Sequence, residues 1–257
     1  MLMLLAIIYS GYGVWNALNP RIKNISVKID NLPDSWKGNT AVLLSDIHLG
    51  HIFGSQFLRR VVQQTNAQNP KAVFITGDLF DGMDGEFTVP MGLLNNIQAR
   101  NGVYFVTGNH ETYFGLAKVD RILANVNLIH LKDKAMAVDG VLIYGIDYPM
   151  LTVKKDIGKI IKSDPLYNKN LPSILLYHMP TQIEQAKGAG INLQLAGHTH
   201  KGQIFPFSII TRLIFGKYHN GLHTTDSHNI YTSSGTGAWG PTIRTGNHPE
   251  ITVINFE

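Results

Sequence analysis

Apolar residues recur along this chain in two rhythms. Short runs appear as AVLLS at 41–45, AVFIT at 72–76, VYFVT at 103–107, SILLY at 173–177 and NLQLA at 192–196. Runs of this length, rich in β-branched and aromatic residues, predict buried strands. The second rhythm is helical. After Ser55, which can cap a helix, Phe57, Leu58, Val61, Val62 and Thr65 recur at helical spacing until Asn69-Pro70 stops them, which predicts a helix over 55–68. Shorter helices are predicted over 90–99, over 115–125 with Leu116, Val119, Ile122 and Leu123 on one face, and over 181–187. ISVKID reads as a first strand, followed by a turn at Leu32-Pro33-Asp34. LIHL, AMAV and VLIYGI read as strands of a second sheet, and IYTSS and ITVINF alternate near the end. Strands alternating with helices first, and short strands later, predict an α/β fold of two stacked mixed sheets with helices outside.

The chain opens differently. MLMLLAIIYSGYGVWNALNP has no charged side chain before Arg21. A helix over 1–18 would be about 27 Å long, just short of the roughly 30 Å hydrocarbon core of a bilayer. Tyr9, Tyr12 and Trp15 suit an interface. There is no basic n-region and no clear small-residue cleavage site, so a membrane anchor is the preferred reading over a secretory signal or a helix docked on the domain. The segment also suits the last of several spans in a longer chain. Arg21, Lys23 and Lys28 follow it, which by the positive-inside rule predicts a cytoplasmic catalytic domain at a bacterial-type inner or plasma membrane. The expected organisation is an apolar helix at 1–20, a linker and first strand at 21–40, and one catalytic domain at 41–257.

The 257 residues fit one large domain, and a hydrophobic content of 44% supports a sizeable core. Cysteine is absent, which removes disulfides and thiolate chemistry. The formal charge of +4 comes from scattered basic residues. With no basic stripe, no nucleic-acid partner is expected.

The chemistry sits at the ends of the five apolar runs: Asp46-Ile47-His48, Gly77-Asp78, Gly108-Asn109-His110-Glu111, His178, and Gly197-His198-Thr199-His200. Carboxylate, amide and imidazole groups at five strand ends suggest one convergent site, because sites in such folds form from loops at the carboxyl ends of strands. The ligands are oxygen and nitrogen only, which suits borderline divalent metals, and they are too many for one ion.

This ordered set resembles the calcineurin-like metallophosphoesterase superfamily, whose pattern reads D-x-H, G-D, G-N-H followed by D or E, H, and G-H-x-H. The resemblance runs from about Ala41 to the C-terminus. The stretch from GHTHKGQI to GPTIRTGNHPEITVI looks like the YkuE/YaeI-type membrane-associated branch. The resemblance implies a four-layer αββα sandwich of two mixed sheets flanked by helices. It implies two divalent ions, with Mn the first choice and Fe or Zn the alternatives. Asp46, His48 and His200 would hold one ion, Asn109, His178 and His198 the other, and Asp78 would bridge both. His110 would be the general acid, oriented by Asp81, with Glu111 a weaker candidate for that support. His51 and Arg244 are candidate substrate contacts. His219, His223, His228 and His248 match no superfamily ligand position, and His130 reads as a core or edge residue.

The implied activity is hydrolysis of a phosphodiester or pyrophosphate by a metal-bridging hydroxide. A membrane or cell-envelope substrate fits, such as UDP-2,3-diacylglucosamine in lipid A synthesis. The alternatives are a general phosphodiesterase or phosphatase of other envelope substrates, or a non-catalytic metal-binding module. A protein phosphatase is disfavoured because Gly82, not Arg, follows Asp81. The apolar stretch FPFSIITRLIF at 205–215 reads either as core or as an exposed flap that meets the bilayer or receives acyl chains.

Overall fold

The computed structural model describes residues 1–82, 89–150, 154–225 and 227–257. Helix α1 (Leu2–Ala17) leads into β1 (Arg21–Val27) and β2 (Thr40–Leu44). Then come α2 (Ser55–Asn66), β3 (Ala72–Thr76), β4 (Val103–Val106), α3 (Asn109–Phe114), α4 (Leu116–Leu123), β5 (Ile129–His130), β6 (Lys134–Val138) and β7 (Val141–Ile146). The chain continues through α5 (Ile157–Ser163), β8 (Ser173–Tyr177), α6 (Ile183–Gly188), β9 (Leu193–Ala196), α7 (Ser208–Phe215), β10 (Gly221–Thr225), β11 (His228–Thr232) and β12 (Glu250–Phe256).

The strands form two six-stranded sheets, ordered β1-β12-β2-β3-β4-β5 and β10-β11-β9-β8-β7-β6. Both are mixed: β12 runs antiparallel to β2, β10 to β11 and β6 to β7, and the other pairs are parallel. The alternation of a pleated strand explains the layers. In β2, Ala41 and Leu43 face the core between the sheets, while Val42 and Leu44 face the core under α2. In β8, Ile174 and Leu176 face the inter-sheet core, while Leu175 and Tyr177 pack with Ile157 and Ile161 of α5 and Ala186 of α6. Strands buried on both faces must be apolar throughout, which is why these runs are legible in the sequence. The result is the expected αββα sandwich.

Several boundaries differ from the sequence reading. The first strand starts at Arg21 rather than Ile25 and pairs along its length with β12, so residues 21–27 form a sheet edge. The segment expected as a helix at 90–99 is a 3-10 turn over Met91–Asn96. Helix α3 was not expected, because its first residues are themselves site residues; Gly115, with φ of 98°, separates it from α4.

Helix α1 has two ends of different character. Residues 1–12 are exposed, whereas Gly13, Asn16 and Ala17 are buried against the domain. The Asn16 amide donates to the carbonyls of Arg244 (2.9 Å) and Asn247 (2.8 Å), its Oδ1 lies 2.6 Å from His248 Nδ1, and Arg244 N donates to Gly13 O at 2.9 Å. No helix among the described residues is long and apolar enough to cross a membrane.

Candidate metal centre

Each site residue lies just past the carboxyl end of a strand, in the loop or the turn of helix that follows it. Asp46 and His48 follow β2, Asp78 follows β3, Asn109 follows β4, His178 follows β8, and His198 and His200 follow β9. An extended strand end would aim Asp46 and His48 the same way through the pleat, and likewise His198 and His200. The backbone does something else. Asp46, His48, Asp78, His198 and His200 have φ of 52°, 51°, 50°, 72° and 48°. Side chains rarely adopt this left-handed region, and each such residue costs of order 1–3 kcal/mol unless its surroundings hold it. The five tight turns make the donors converge. Gly77 shows how close the loops approach. Its φ is 87°, and a Cβ there would collide with Gly108 N and His178 Nδ1.

The expected ligands form two groups, and His48, Asp81 and His110 form a third cluster beside them. In the first, His200 Nε2 lies 3.3 Å from Asp46 Oδ1 and 3.1 Å from His48 Nε2. In the second, His178 Nε2 lies 3.2 Å from Asp78 Oδ2, 3.1 Å from Asn109 Oδ1 and 3.2 Å from His198 Nδ1. The Asn109 oxygen is also 2.9 Å from His198 Nδ1. Asp78 Oδ2 reaches across to within 3.9 Å of His48 Nε2, which places this carboxylate between the groups. Asp46, His48 and His200, and separately Asp78, His178 and His198, each bring donor atoms within 4.8 Å of one another. Paired imidazole nitrogens at 3.1–3.2 Å, beside carboxylates and an amide oxygen, aim lone pairs at shared centres. That donor set fits two divalent cations.

Surrounding groups fix the rings. The carbonyl of Thr76 accepts from His178 Nδ1 at 2.7 Å, which leaves Nε2 turned to the site. Asp46 accepts from His198 N at 2.9 Å, and Asp78 from His110 N at 2.9 Å. Burial alone would raise the pKa of Asp46, but His200, His178 and His48 offset it and hold this carboxyl well below the usual range. Asp78 behaves alike: burial raises it, and His178 and His48 more than compensate. Burial pushes His200 down to about 3, and burial with His178 pushes His198 down to about 4. His178 goes the other way: despite its burial, the Asp78 and Asp46 carboxylates raise it to about 9.

His110 borders the cavity, and its Nδ1 contacts the backbone carbonyl of Asp81. The expected partnership with Asp81 therefore runs through the main chain. The Asp81 carboxylate instead stands 3.5 Å from His48 Nδ1, a nitrogen with no hydrogen-bond partner. Glu111 does not touch the His110 ring. It is fully buried and accepts from Asp78 N (2.9 Å), Gly108 N (2.6 Å) and Phe80 N (3.0 Å), tying the loop after β3 to the loop after β4.

Neither of the two expected substrate contacts borders the main cavity. Arg244 is fully buried, and its guanidinium donates to Gly237 O, Asn247 Oδ1 and, at 2.8 Å, His200 Nδ1. It borders no part of the main cavity and acts on the site through His200. His51 is exposed and borders a smaller cavity of about 220 Å³ beside His48 and Asp81. Among the remaining histidines, His228 is buried and bonds Ile191 O at 2.7 Å, and His130 pairs with Asp147 at 2.9 Å.

The main cavity holds about 520 Å³. Its lining joins polar Asp78, Asn109, His110 and His198 to apolar Phe207, Ile210, Phe215 and Trp239, and the rings of His198 and Phe215 meet edge to face at 5.8 Å. No residue of α7 is buried, and Phe205, Phe207, Ile209, Ile210, Leu213 and Ile214 are exposed, so the 205–215 stretch is a flap and not core. Trp239, Tyr113 and Tyr148 lie near the site without any motif to mark them. Tyr113 borders the cavity, and the ring of Tyr148 lies 6.0 Å from that of His178.

Residues 40–202 match the family model described as calcineurin-like phosphoesterase. A metallophosphoesterase of Helicobacter pylori is 33% identical over 92% of this chain and 64% of its own length. A zebrafish (Danio rerio) protein named "Transmembrane protein with metallophosphoesterase domain" is 32% identical over 98% of this chain and 61% of its own. The metallophosphoesterase YkuE of Bacillus subtilis is 28% identical over 96% of this chain and 90% of its own. The chain thus spans just under two thirds of the Helicobacter relative's length.

Proposed function

The chain belongs to the calcineurin-like phosphoesterase family, and we propose that it hydrolyses a phosphodiester or pyrophosphate bond with two divalent ions. One observation carries the reading: two donor groups meet at Asp78 on the wall of a cavity large enough for a phosphoester. Asp46, His48 and His200 would hold one ion, Asn109, His178 and His198 the other, and Asp78 both. When bound, the ions supply an activated water and neutralise phosphate charge. The chain supplies the rest. Asn109 gives a neutral oxygen that adds no repulsion toward an anionic substrate. Asp46 and Asp78 are pinned by backbone N–H groups, so the site is organised in advance. With Nδ1 on the Asp81 carbonyl, the imidazolium form of His110 has Nε2–H left to protonate the leaving oxygen.

Substrate and setting are part of the same proposal. The apolar wall of Phe207, Ile210, Phe215 and Trp239 favours an amphiphilic, lipid-linked phosphoester such as UDP-2,3-diacylglucosamine. The exposed apolar residues of α1 favour membrane association, with the domain on the cytoplasmic side by virtue of Arg21, Lys23 and Lys28. Mn²⁺ is the proposed metal. The test is metal-supplemented hydrolysis of bis-p-nitrophenyl phosphate, p-nitrophenyl phosphate and UDP-diacylglucosamine, with Asp78→Asn as control. Preference for the lipid nucleotide is expected. Turnover of the simple diester alone would keep the metal chemistry and overturn the lipid substrate, and no metal-dependent turnover would overturn both.

A further inference from the structure

A second cavity, about 460 Å³, shares no bordering residue with the catalytic one and lies at the foot of α1. Its charged residues are Arg21, Lys23, Lys201 and Glu250, and His248 also borders it. Two of these cancel: Lys23 Nζ lies 3.3 Å from Glu250 Oε2, and the other oxygen of Glu250 takes the Tyr231 hydroxyl (2.6 Å) and Ser234 N (3.1 Å). The side chains of Arg21 and half-buried Lys201 have no acidic or hydrogen-bond partner among the described residues, so the cavity carries net positive charge. His248 reports the same field. Burial first, and then Arg21, Arg244 and Lys201, hold it below the usual imidazole range.

The position of this cavity suggests its ligand. His248 and Asn247 hold Asn16, and Arg21 N donates to Pro249 O at 2.9 Å, so the cavity wall is the point where α1 leaves the domain. Beyond that point α1 exposes Leu5, Ile8, Tyr9, Tyr12 and Trp15. Arg21 follows the end of α1 at Ala17 by four residues and shares the cavity with Lys201, so both basic groups stand at the end of the helix that meets the domain. We propose that the cavity is a headgroup site for an anionic phospholipid, its phosphate held by Arg21 and Lys201. This rests on the membrane reading of α1 given above, and the test separates the two.

The full chain is sedimented with vesicles of phosphatidylcholine alone and with vesicles containing a fifth phosphatidylglycerol, at low salt. Binding to the neutral vesicles reads α1, and the increment with phosphatidylglycerol reads the cavity. A cation near an anionic surface is worth about fivefold in partitioning, so the Arg21→Gln, Lys201→Gln pair should lower the increment roughly twenty-five-fold and leave neutral binding unchanged. The control pair Lys134→Gln, Lys162→Gln removes the same charge from β6 and α5, on exposed positions outside the cavity, and should keep most of the increment. A wild-type chain without an increment, or equal losses in both pairs, overturns the site. Saturable inorganic phosphate binding, read as a shift of the His248 resonance without any phosphatidylglycerol increment, would also overturn it by making the ligand a soluble anion. Loss of neutral binding with the increment intact would refute α1 insertion and leave the headgroup site standing.

Discussion

Replacing Asn16 by Ala tests whether the foot of α1 is a structural member of the catalytic domain. Asn16 is 1% exposed, and its amide bridges partners more than 200 residues away: the carbonyls of Arg244 and Asn247, and His248. Truncation removes all three bonds. The Arg244 carbonyl is buried and loses a donor, which costs about 1–3 kcal/mol, and the two half-buried partners cost roughly 0.5–1.5 kcal/mol each. The sum, about 2–6 kcal/mol, is a large part of the 5–15 kcal/mol that holds a typical domain together. At roughly 2–4 °C per kcal/mol for a chain of this size, the midpoint should fall by about 4–24 °C. The assay is thermal unfolding of the detergent-solubilised chain followed by circular dichroism. Two truncations sharpen it. Removing residues 1–12 leaves every one of these bonds and should melt close to the parent, whereas removing 1–18 should destabilise at least as much as Asn16→Ala. A substituted chain that melts within about 1 °C of the parent would refute the reasoning and make α1 an independent tail.

Three further outcomes follow from the site. Asp78→Asn should abolish turnover and lower metal content, because it removes the one carboxylate between both donor groups; near-normal turnover at full metal content by elemental analysis would sink the shared role. His110→Ala should keep the metals and slow hydrolysis most for poor leaving groups, and collapse of metal content would make His110 a ligand. Asp81→Ala retains the carbonyl that holds His110 but deletes the carboxylate beside His48. It should weaken metal binding by about 10–100-fold, as loss of an outer partner typically does, while the dependence on leaving group is unchanged; the reverse pattern in titrations and rate profiles would return the carboxylate to His110.

The difference between Asp81 as expected and as found shows how far the sequence reaches. A strand buried on both faces is apolar without interruption, so β2, β3, β4, β8 and β9 were legible, and so were the polar residues that end them. The number and chemical type of the donors followed from the same blocks. The means of convergence did not. Asp46, His48 and His200 meet through left-handed turns, which a residue list does not announce when the residue is not Gly.

Two stacked mixed sheets and the polar residues that end the buried strands were thus legible in the sequence alone, because each rests on local composition and period; the ligand roles and the four-layer αββα sandwich came through the resemblance those residues carry. Tertiary structure decided which partner each side chain meets. Arg244 went beneath His200 instead of toward substrate, Glu111 became a tie between two loops, and residues 205–215 became a flap that walls the cavity. These outcomes depend on contacts between residues distant in the chain, 44 positions apart for Arg244 and His200 and 33 for Glu111 and Asp78. Only packing the two sheets and their loops together brings such residues within hydrogen-bonding reach.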